Sequence, residues 1–498
     1  MEDLINSLNG IIWSRALIVL CLGAGLYFSI RTRFMQVRGV PEMIRLMLTN
    51  KSSAAGVSSF QALAMSLSGR VGIGNIAGVA TAIAFGGPGA VFWMWVMAFL
   101  GASTAYVEST LAQIYKEKDD QGRFRGGPAY YIEKAMGQRW YAWIFAAVTI
   151  IATGFLLPGV QANGIAEGMT NAFGLPPAVT AAVVVVALGF IIFGGVKRIA
   201  KFAELVVPFM ALAYMLVALV ILFLNIERVP AMFTLVFESA FGMHAGFGAM
   251  LGLAVEWGVK RGIYSNEAGQ GTGPHAAAAA EVEHPAQQGY VQAFSVYVDT
   301  LLVCSATAFM ILSTGMYNVV GASGEMLVEA LPGITAGPGF AQSAVEAVLP
   351  GYGAGFVALA LLFFAFTTIV AYYYMAETNV TYINRKVHRP WLVFVLRIAL
   401  LAAVTFGAVR SAGMAWTLGD IGVGLMAWLN LVAILILQKP ALKALRDYEA
   451  QKKAGTTAFT FDPEALGIRN AKFWERKQDG LEPVLPDPTR APDPTDGR

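Results

Sequence analysis

Long apolar runs separated by short polar stretches set the rhythm of this chain. A bilayer core needs about 20 consecutive, mostly apolar residues per helix. On that measure eleven runs read as spans, near 13–30, 57–86, 89–115, 140–169, 176–195, 203–225, 235–258, 287–314, 345–376, 391–409 and 415–437. The runs at 57–86 and 235–258 stand apart, because glycine and polar residues interrupt both. The 31–56 stretch is basic and amphipathic and suits a position along inner headgroups. Past residue 440 the chain turns polar, and its end, PVLPDPTRAPDPTDGR, has the proline-rich, weakly hydrophobic composition of disorder.

Composition sharpens this pattern into a class. Hydrophobic residues make up 56% and charged residues 13% of the 498, about half the roughly 25% charge of a soluble domain. That excludes a soluble enzyme, a disordered scaffold and a nucleic-acid binder. The expected fold is an all-α polytopic membrane protein. A net charge of +3 names no partner, but the placement of charge gives an orientation. Lys and Arg crowd the loops at 31–51, 116–139, 197–201, 260–261 and 385–389 and the tail after 438, whereas the opposite loops show only Arg228 and Arg410. By the positive-inside rule the N-terminus is outside and the C-terminus cytoplasmic. Glu2 and Asp3 precede the first span where a signal peptide would carry basic residues, so a retained helix is expected. Cys21 and Cys304 lie in apolar runs and imply no disulfide framework and no metal site.

The interrupted spans carry the functional signal. The first, FQALAMSLSGRVGIGNIAGVATAIAFGGPGA at 60–90, holds Ser66, Ser68, Gly69, Arg70, Gly72, Gly74 and Asn75 in its middle. The second, SAFGMHAGFGAMLGLAVEWG at 239–258, is broken by Gly242, His244, Gly246 and Gly248. Glycine costs about 1 kcal/mol against alanine in a helix interior, and unwound backbone is tolerated at membrane depth only inside protein or along a cavity. Gly74 and Gly78 form a small-xxx-small pair that could serve helix packing, but packing does not explain Arg70 and Asn75 at mid-membrane. Gly72-Ile73-Gly74 resembles half a dinucleotide fingerprint, yet follows no strand. Five spans run from each interrupted helix, and five is odd, so the second set starts from the opposite side. This is the layout of an inverted-repeat secondary transporter, with substrate between the breaks. The chain divides into an N-terminal span and basic segment (1–56), a first repeat (57–225), a second, inverted repeat (226–437) and a tail (438–498).

The segments GNIAGVATAIAFGGPGAVFWMW (74–95), GGPAYYIEKAMG (126–137) and RGIYSNEAGQGTGPHAAAA (261–279) resemble the alanine or glycine:cation symporter family of bacteria and archaea. The resemblance implies uptake of a small neutral amino acid coupled to sodium or protons. It also implies the leucine-transporter-like fold of the amino acid–polyamine–cation superfamily, one extra helix ahead of two inverted five-helix repeats. Gly72-Ile73-Gly74-Asn75 is similar to the GLGN break of that fold, whose backbone amides hold the substrate carboxylate. Gly246-Phe247-Gly248-Ala249 is similar to its GFGA stretch, which implies that Phe241, Gly242, His244 and Phe247 face substrate. Gln161 resembles a substrate-contacting glutamine. Thr367 and Thr368, with the carbonyls of Ser68, Val71 and Phe364, fall where the fold binds sodium, the expected coupling ion. Arg70 and His244 depart from the pattern and put a second ion site in question.

Each of these residues also has a structural alternative. Membrane threonines commonly bond back to a helix carbonyl, and Asn75 and Gln161 suit interhelical hydrogen bonds. Glu108, Glu204, Glu256 and Asp299 read as halves of structural ion pairs, with the partner of Arg70 left open. His244 reads as a neutral pocket wall. SNEAGQGTG (265–273) lacks a Walker pattern and reads as a cytoplasmic gate or packing loop. No HExxH, GxSxG or charged pore ring favours an enzyme or a channel. The expected function is sodium-driven symport of alanine, glycine or D-alanine across the cell inner membrane, with proton coupling as the alternative and no obligate protein partner.

Overall fold

The computed structural model describes residues 2–47, 53, 55–244, 247, 250–387, 389 and 391–478. The expected disordered end, His388, and Gly246, Gly248 and Ala249 of the GFGA stretch lie outside the described residues.

The chain opens with α1 (Glu2–Ile12), α2 (Arg15–Arg31) and the amphipathic α3 (Val40–Met47). Helix α4 (Ser59–Arg70) starts at a capping box, in which the Ser58 side chain accepts from the Gln61 N–H and the Gln61 side chain accepts from the Ser58 N–H. It ends at Val71, and a π-helical turn, Gly74–Gly78, resumes the path into α5 (Val79–Gly86). The two halves meet at 53°. Then follow α6 (Gly89–Ile114), α7 (Arg139–Ile151), α8 (Leu157–Phe173), α9 (Pro177–Ile192), α10 (Gly195–Leu224) and α11 (Val229–Ala240). Helix α12 (Leu251–Asn266) and α13 (Gly273–Ala279) are separated by an irregular turn. The rest comprises α14 (Pro285–Val296), a π-helical stretch (Tyr297–Cys304), α15 (Ser305–Thr314), α16 (Pro338–Glu346), α17 (Gly353–Val387), α18 (Trp391–Ala408), α19 (Ala412–Lys453) and α20 (Lys472–Gln478). Two small hairpins, β1 (Glu117–Lys118) with β2 (Phe124–Arg125) and β3 (Asn318–Val320) with β4 (Met326–Glu329), decorate the loops.

Among the described residues eight helices are long and apolar enough to cross a membrane, or nine with the bent pair counted as one span. Eleven were expected. The run at 176–195 forms a helix of 16 residues, about 24 Å at 1.5 Å per residue. The run at 235–258 is divided between α11 and α12.

That division relocates the second interruption. The sequence pattern puts it at 242–248, of which the described residues, 242–244 and 247, belong to neither α11 nor α12. The break that packs beside α4 and α5 lies further on, at 267–272. Glu267 (φ 57°), Gly269 (φ 84°) and Gly271 (φ 86°) take left-handed backbone there, which no helix can propagate. The SNEAGQGTG segment is therefore the discontinuity itself. It is buried, with Asn266, Glu267, Gln270 and Thr272 fully enclosed. Lys260 and Arg261 follow the same shift. They sit in the interior of α12 and are not loop cations: both pair with Asp420 of α19, at 2.8 Å each.

Candidate substrate and ion site

Residues 71–75 leave the α-helical ladder, so their backbone groups turn to side chains. The Gly72 N–H donates to Asn75 Oδ1 at 2.8 Å, and the Ile73 N–H donates to Gln161 Oε1 of α8 at 2.9 Å. The Thr368 hydroxyl of α17 lies 3.3 Å from the Val71 carbonyl and 3.0 Å from that of Phe364. Thr367 donates to the same Phe364 carbonyl at 2.9 Å. Thr368 thus joins the expected carbonyls of Val71 and Phe364, while Thr367 shares the Phe364 carbonyl and faces Met210 Sδ at 3.8 Å. Ser68, whose carbonyl is the remaining expected ligand, lies in the last turn of α4, and its hydroxyl donates to the Met65 carbonyl at 2.7 Å. Oxygen donors of this kind, two hydroxyls with backbone carbonyls, suit a hard cation.

The spacing leaves no slack. A Cβ on Gly72 would stand 2.5 Å from Thr368 Oγ1 and 2.8 Å from Gln161 Oε1. Gly74 rests against Tyr264 and Ser265 of α12, at 3.2 and 3.4 Å from a Cβ built there. Gly164 faces Ile73 so closely that a methyl would overlap it. The first break is therefore clasped by α8, α12 and α17.

Behind Asn75 lies the carboxylate of Asp299. Asn75 Nδ2 donates to Asp299 Oδ1 at 2.7 Å, and the Ser265 and Thr300 hydroxyls donate to Oδ2 at 2.9 and 2.7 Å. Asp299 sits in the π-helical stretch between α14 and α15, a distortion frequent at functional sites. Glu108 accepts from the Gly269 N–H at 3.2 Å and from Asn430 Nδ2 at 2.7 Å, which pins the second break. Glu204 accepts from Gln61 at 3.0 Å. Among the described residues none of Glu108, Glu204, Glu256 and Asp299 has a Lys or Arg nitrogen within 4 Å, against the expectation of ion pairs. Arg70 is also buried without a direct carboxylate partner. It donates to the Gln292 carbonyl at 3.2 Å and to the Ser295 hydroxyl, with Glu267, Glu108 and Asp299 as its electrostatic neighbours.

Phe241, Gly242, His244 and Phe247 lie elsewhere. Phe241 is 50% exposed and packs on Phe92 at 5.0 Å. Gly242 turns the chain after α11 with φ 70°. His244 stacks on the buried Phe247 at 5.0 Å, and Phe247 reaches Gly87 just beyond the end of α5. Twelve residues separate Gly74 from Gly86, about 18 Å of helix. These four cannot share a small pocket with Gly72. Their place beside the first break is taken by Ser265, against Gly74, and Glu267, against Gly69. The signal for that was present in the sequence: polar residues and three glycines at 265–273 in a stretch otherwise flanked by buried alanine and aromatic residues.

Two discontinuous helices, each interrupted at glycine and facing each other within a bundle of apolar spans, define a multi-pass membrane transporter rather than an enzyme. The sequence profile of the sodium:alanine symporter family matches residues 1–462, and the chain belongs to that family. It is 62% identical to the Bacillus subtilis protein YrbD, over 96% of this chain and 98% of that one. It is 56% identical to the sodium/proton-dependent alanine carrier protein of Bacillus sp. (strain PS3), over 87% and 97%. It is 36% identical to the sodium/alanine symporter AgcS of Methanococcus maripaludis, over 91% and 98%. Among solved structures, a mutant of the Eremococcus coleocola manganese transporter aligns with a TM-score of 0.49 at 14% identity, over 89% of this chain and 92% of that one.

Proposed function

We propose that this chain takes up alanine and similarly small neutral amino acids together with sodium, by alternating access around the two breaks. The observation that carries the reading is the meeting of Gly72–Asn75, Gln161 and Thr368 with the 265–272 turn. The N–H groups of Gly72 and Ile73 are engaged by the amide oxygens of Asn75 and Gln161. A substrate carboxylate would take over those donors, and the two amides would then turn to its ammonium and carboxylate edges. Thr367, Thr368 and the Val71 and Phe364 carbonyls supply the coupling-ion site. Gly72 has no room beside it for a side chain, which favours a small amino acid.

The architecture that fits this reading is leucine-transporter-like: α2 as the leading helix, then one repeat beginning at α4–α5 and an inverted one beginning at α12–α13. This reading keeps the N-terminus outside and the basic loops and tail in the cytoplasm, with the chain in the cell (inner) membrane and no obligate protein partner. Labelled alanine uptake into proteoliposomes, with sodium and proton gradients imposed separately, tests the proposal. Accumulation driven by sodium supports it; accumulation driven by protons alone moves the coupling to the alternative ion, and uptake indifferent to both removes symport.

A further inference from the structure

The face that carries the basic loops holds a cavity of about 600 Å³, lined by none of the residues of the candidate site. Four separate stretches line it: the end of α6 into β1 (Lys116, Glu117, Lys118), the turn before α7 (Glu133, Lys134, Gly137), the end of α17 (Arg385), and the tail (Asn470, Lys472, Phe473, Arg476). Six of these side chains are cationic and two are carboxylates. The carboxylates are engaged within the cavity wall: Glu117 with Lys134 and Arg385 at 2.8 Å each, and Glu133 with Arg385 at 2.6 Å. Lys116 is held by the Ala280 carbonyl at 2.9 Å, so the donors turned to an incoming anion are the exposed Lys472 and Arg476 of the tail, beside Lys134 and Arg385 of the wall. Topology alone asks for basic residues on this side of the bilayer; it does not ask that they converge on one concavity of ligand size.

The tail is built into the wall rather than lying across it. Trp474 is 2% exposed and donates from Nε1 to the Gln113 carbonyl at 2.8 Å, one of the orphan acceptors at the end of α6. Lys116 sits over the rings of Phe124 and Phe473, at 4.0 and 4.7 Å. Asn470 donates to the Lys134 carbonyl at 2.9 Å. These anchors hold Lys472 and Arg476, both solvent-facing, in the same cavity wall as Arg385.

We propose that this cavity binds a phosphate-bearing anion, which bridges the tail to the loops before and after β1 and β2. Multiply charged phosphate oxygens match clustered Lys and Arg donors. The same chemistry is offered by a soluble polyphosphate and by an anionic lipid headgroup. The test uses the full chain in detergent and in vesicles. Inorganic pyrophosphate, titrated against potassium chloride of equal ionic strength, is expected to raise the melting temperature saturably by at least 2 °C if the ligand is soluble. Vesicles with phosphatidylglycerol, compared with pure phosphatidylcholine, are expected to slow protease cleavage of the tail at least threefold if it is a headgroup. In either case Lys472→Gln with Arg476→Gln, which leaves the transport site untouched, should abolish most of the effect. The proposal is overturned if neither probe acts, if potassium chloride acts equally well, or if the double variant responds as the wild type does.

Discussion

Adding one methyl group at residue 72 tests the candidate site most directly. Gly72 is not among the residues with left-handed backbone, so alanine suits its conformation and the perturbation is steric. The new Cβ would meet Thr368 Oγ1 at 2.5 Å and Gln161 Oε1 at 2.8 Å. Ordinary contacts begin near 3.4 Å, so both side chains must retreat by several tenths of an ångström. Overpacking of this kind costs about 1–3 kcal/mol. The retreat also weakens the Ile73–Gln161 and Thr368–Val71 contacts, each worth about 0.5–1.5 kcal/mol. A combined loss of about 2 kcal/mol at the site corresponds to roughly a thirtyfold fall in apparent affinity, at 1.4 kcal/mol per tenfold. Gly72→Ala should therefore reduce sodium-driven alanine uptake by at least tenfold, with higher half-saturation for both alanine and sodium, while the purified protein still elutes as a folded species. Gly23→Ala is the control, since a Cβ there meets nothing within 4 Å, and it should transport normally. Uptake by Gly72→Ala within twofold of wild type would refute the reasoning, because the clasp around the break would then carry no function.

Three other outcomes follow from particular contacts. Thr368→Ala should raise the sodium requirement about tenfold while Thr368→Ser retains it, and Thr367→Ala should act more weakly, because only Thr368 joins Val71 to Phe364; equal sodium curves for wild type and Thr368→Ala would clear the residue. Asp420→Asn removes the carboxylate that Lys260 and Arg261 share and leaves both buried cations uncompensated, which should destabilise the protein by about 3–5 kcal/mol, visible as a lower melting temperature in detergent; an unchanged melt would count against that cluster. His284 caps α14 by accepting the Ala286 N–H on Nδ1 at 3.1 Å, with Nε2 3.1 Å from Asp447, and burial holds its pKa below the usual 6.5 against the opposing pull of Asp447. The unfolded chain then takes up the proton first, so stability is full above pH 6.5 and falls as the pH drops below it; His284→Asn should flatten the melting temperature between pH 7.5 and 5, and an equally steep decline in that variant would exclude His284 as the cause.

The apolar runs and the first interruption were legible because both rest on local chemistry. Glycine, arginine and asparagine inside a span need a reason at that position whatever surrounds them. Gln161 and Thr368 were reached only through resemblance, since a lone amide or hydroxyl in a helix has several ordinary uses. The second interruption was misread for a physical reason. Gly242, Gly246 and Gly248 weaken a helix, but so does any glycine-rich connection between two helices, and spacing cannot tell these apart. Lys260 and Arg261 compounded the error. Two adjacent cations ordinarily mark the edge of a bilayer, and here they lie within α12 because Asp420, some 160 residues on, receives both. The compensating charge is invisible until the chain has folded.

The same accounting of charge connects the fold to coupling. Around the breaks one guanidinium, Arg70, serves three buried carboxylates, Glu108, Glu267 and Asp299, none of them in direct ionic contact with it. Hydrogen-bond donors stabilise Glu108 and Asp299 individually, but donors bring no net charge. A zwitterionic amino acid brings none either. With more than one of the three ionised, enclosing the substrate between α4–α5 and α12–α13 leaves net negative charge in a medium where an uncompensated ion costs several kcal/mol, and a cation entering with the substrate offsets that cost. On this reasoning the ion requirement belongs to the closed state: Asp299→Asn should lessen the dependence of closure on sodium even where alanine still binds. A sodium dependence unchanged in Asp299→Asn would transfer the whole coupling to the Thr367–Thr368 oxygens and leave the carboxylates with a structural role alone.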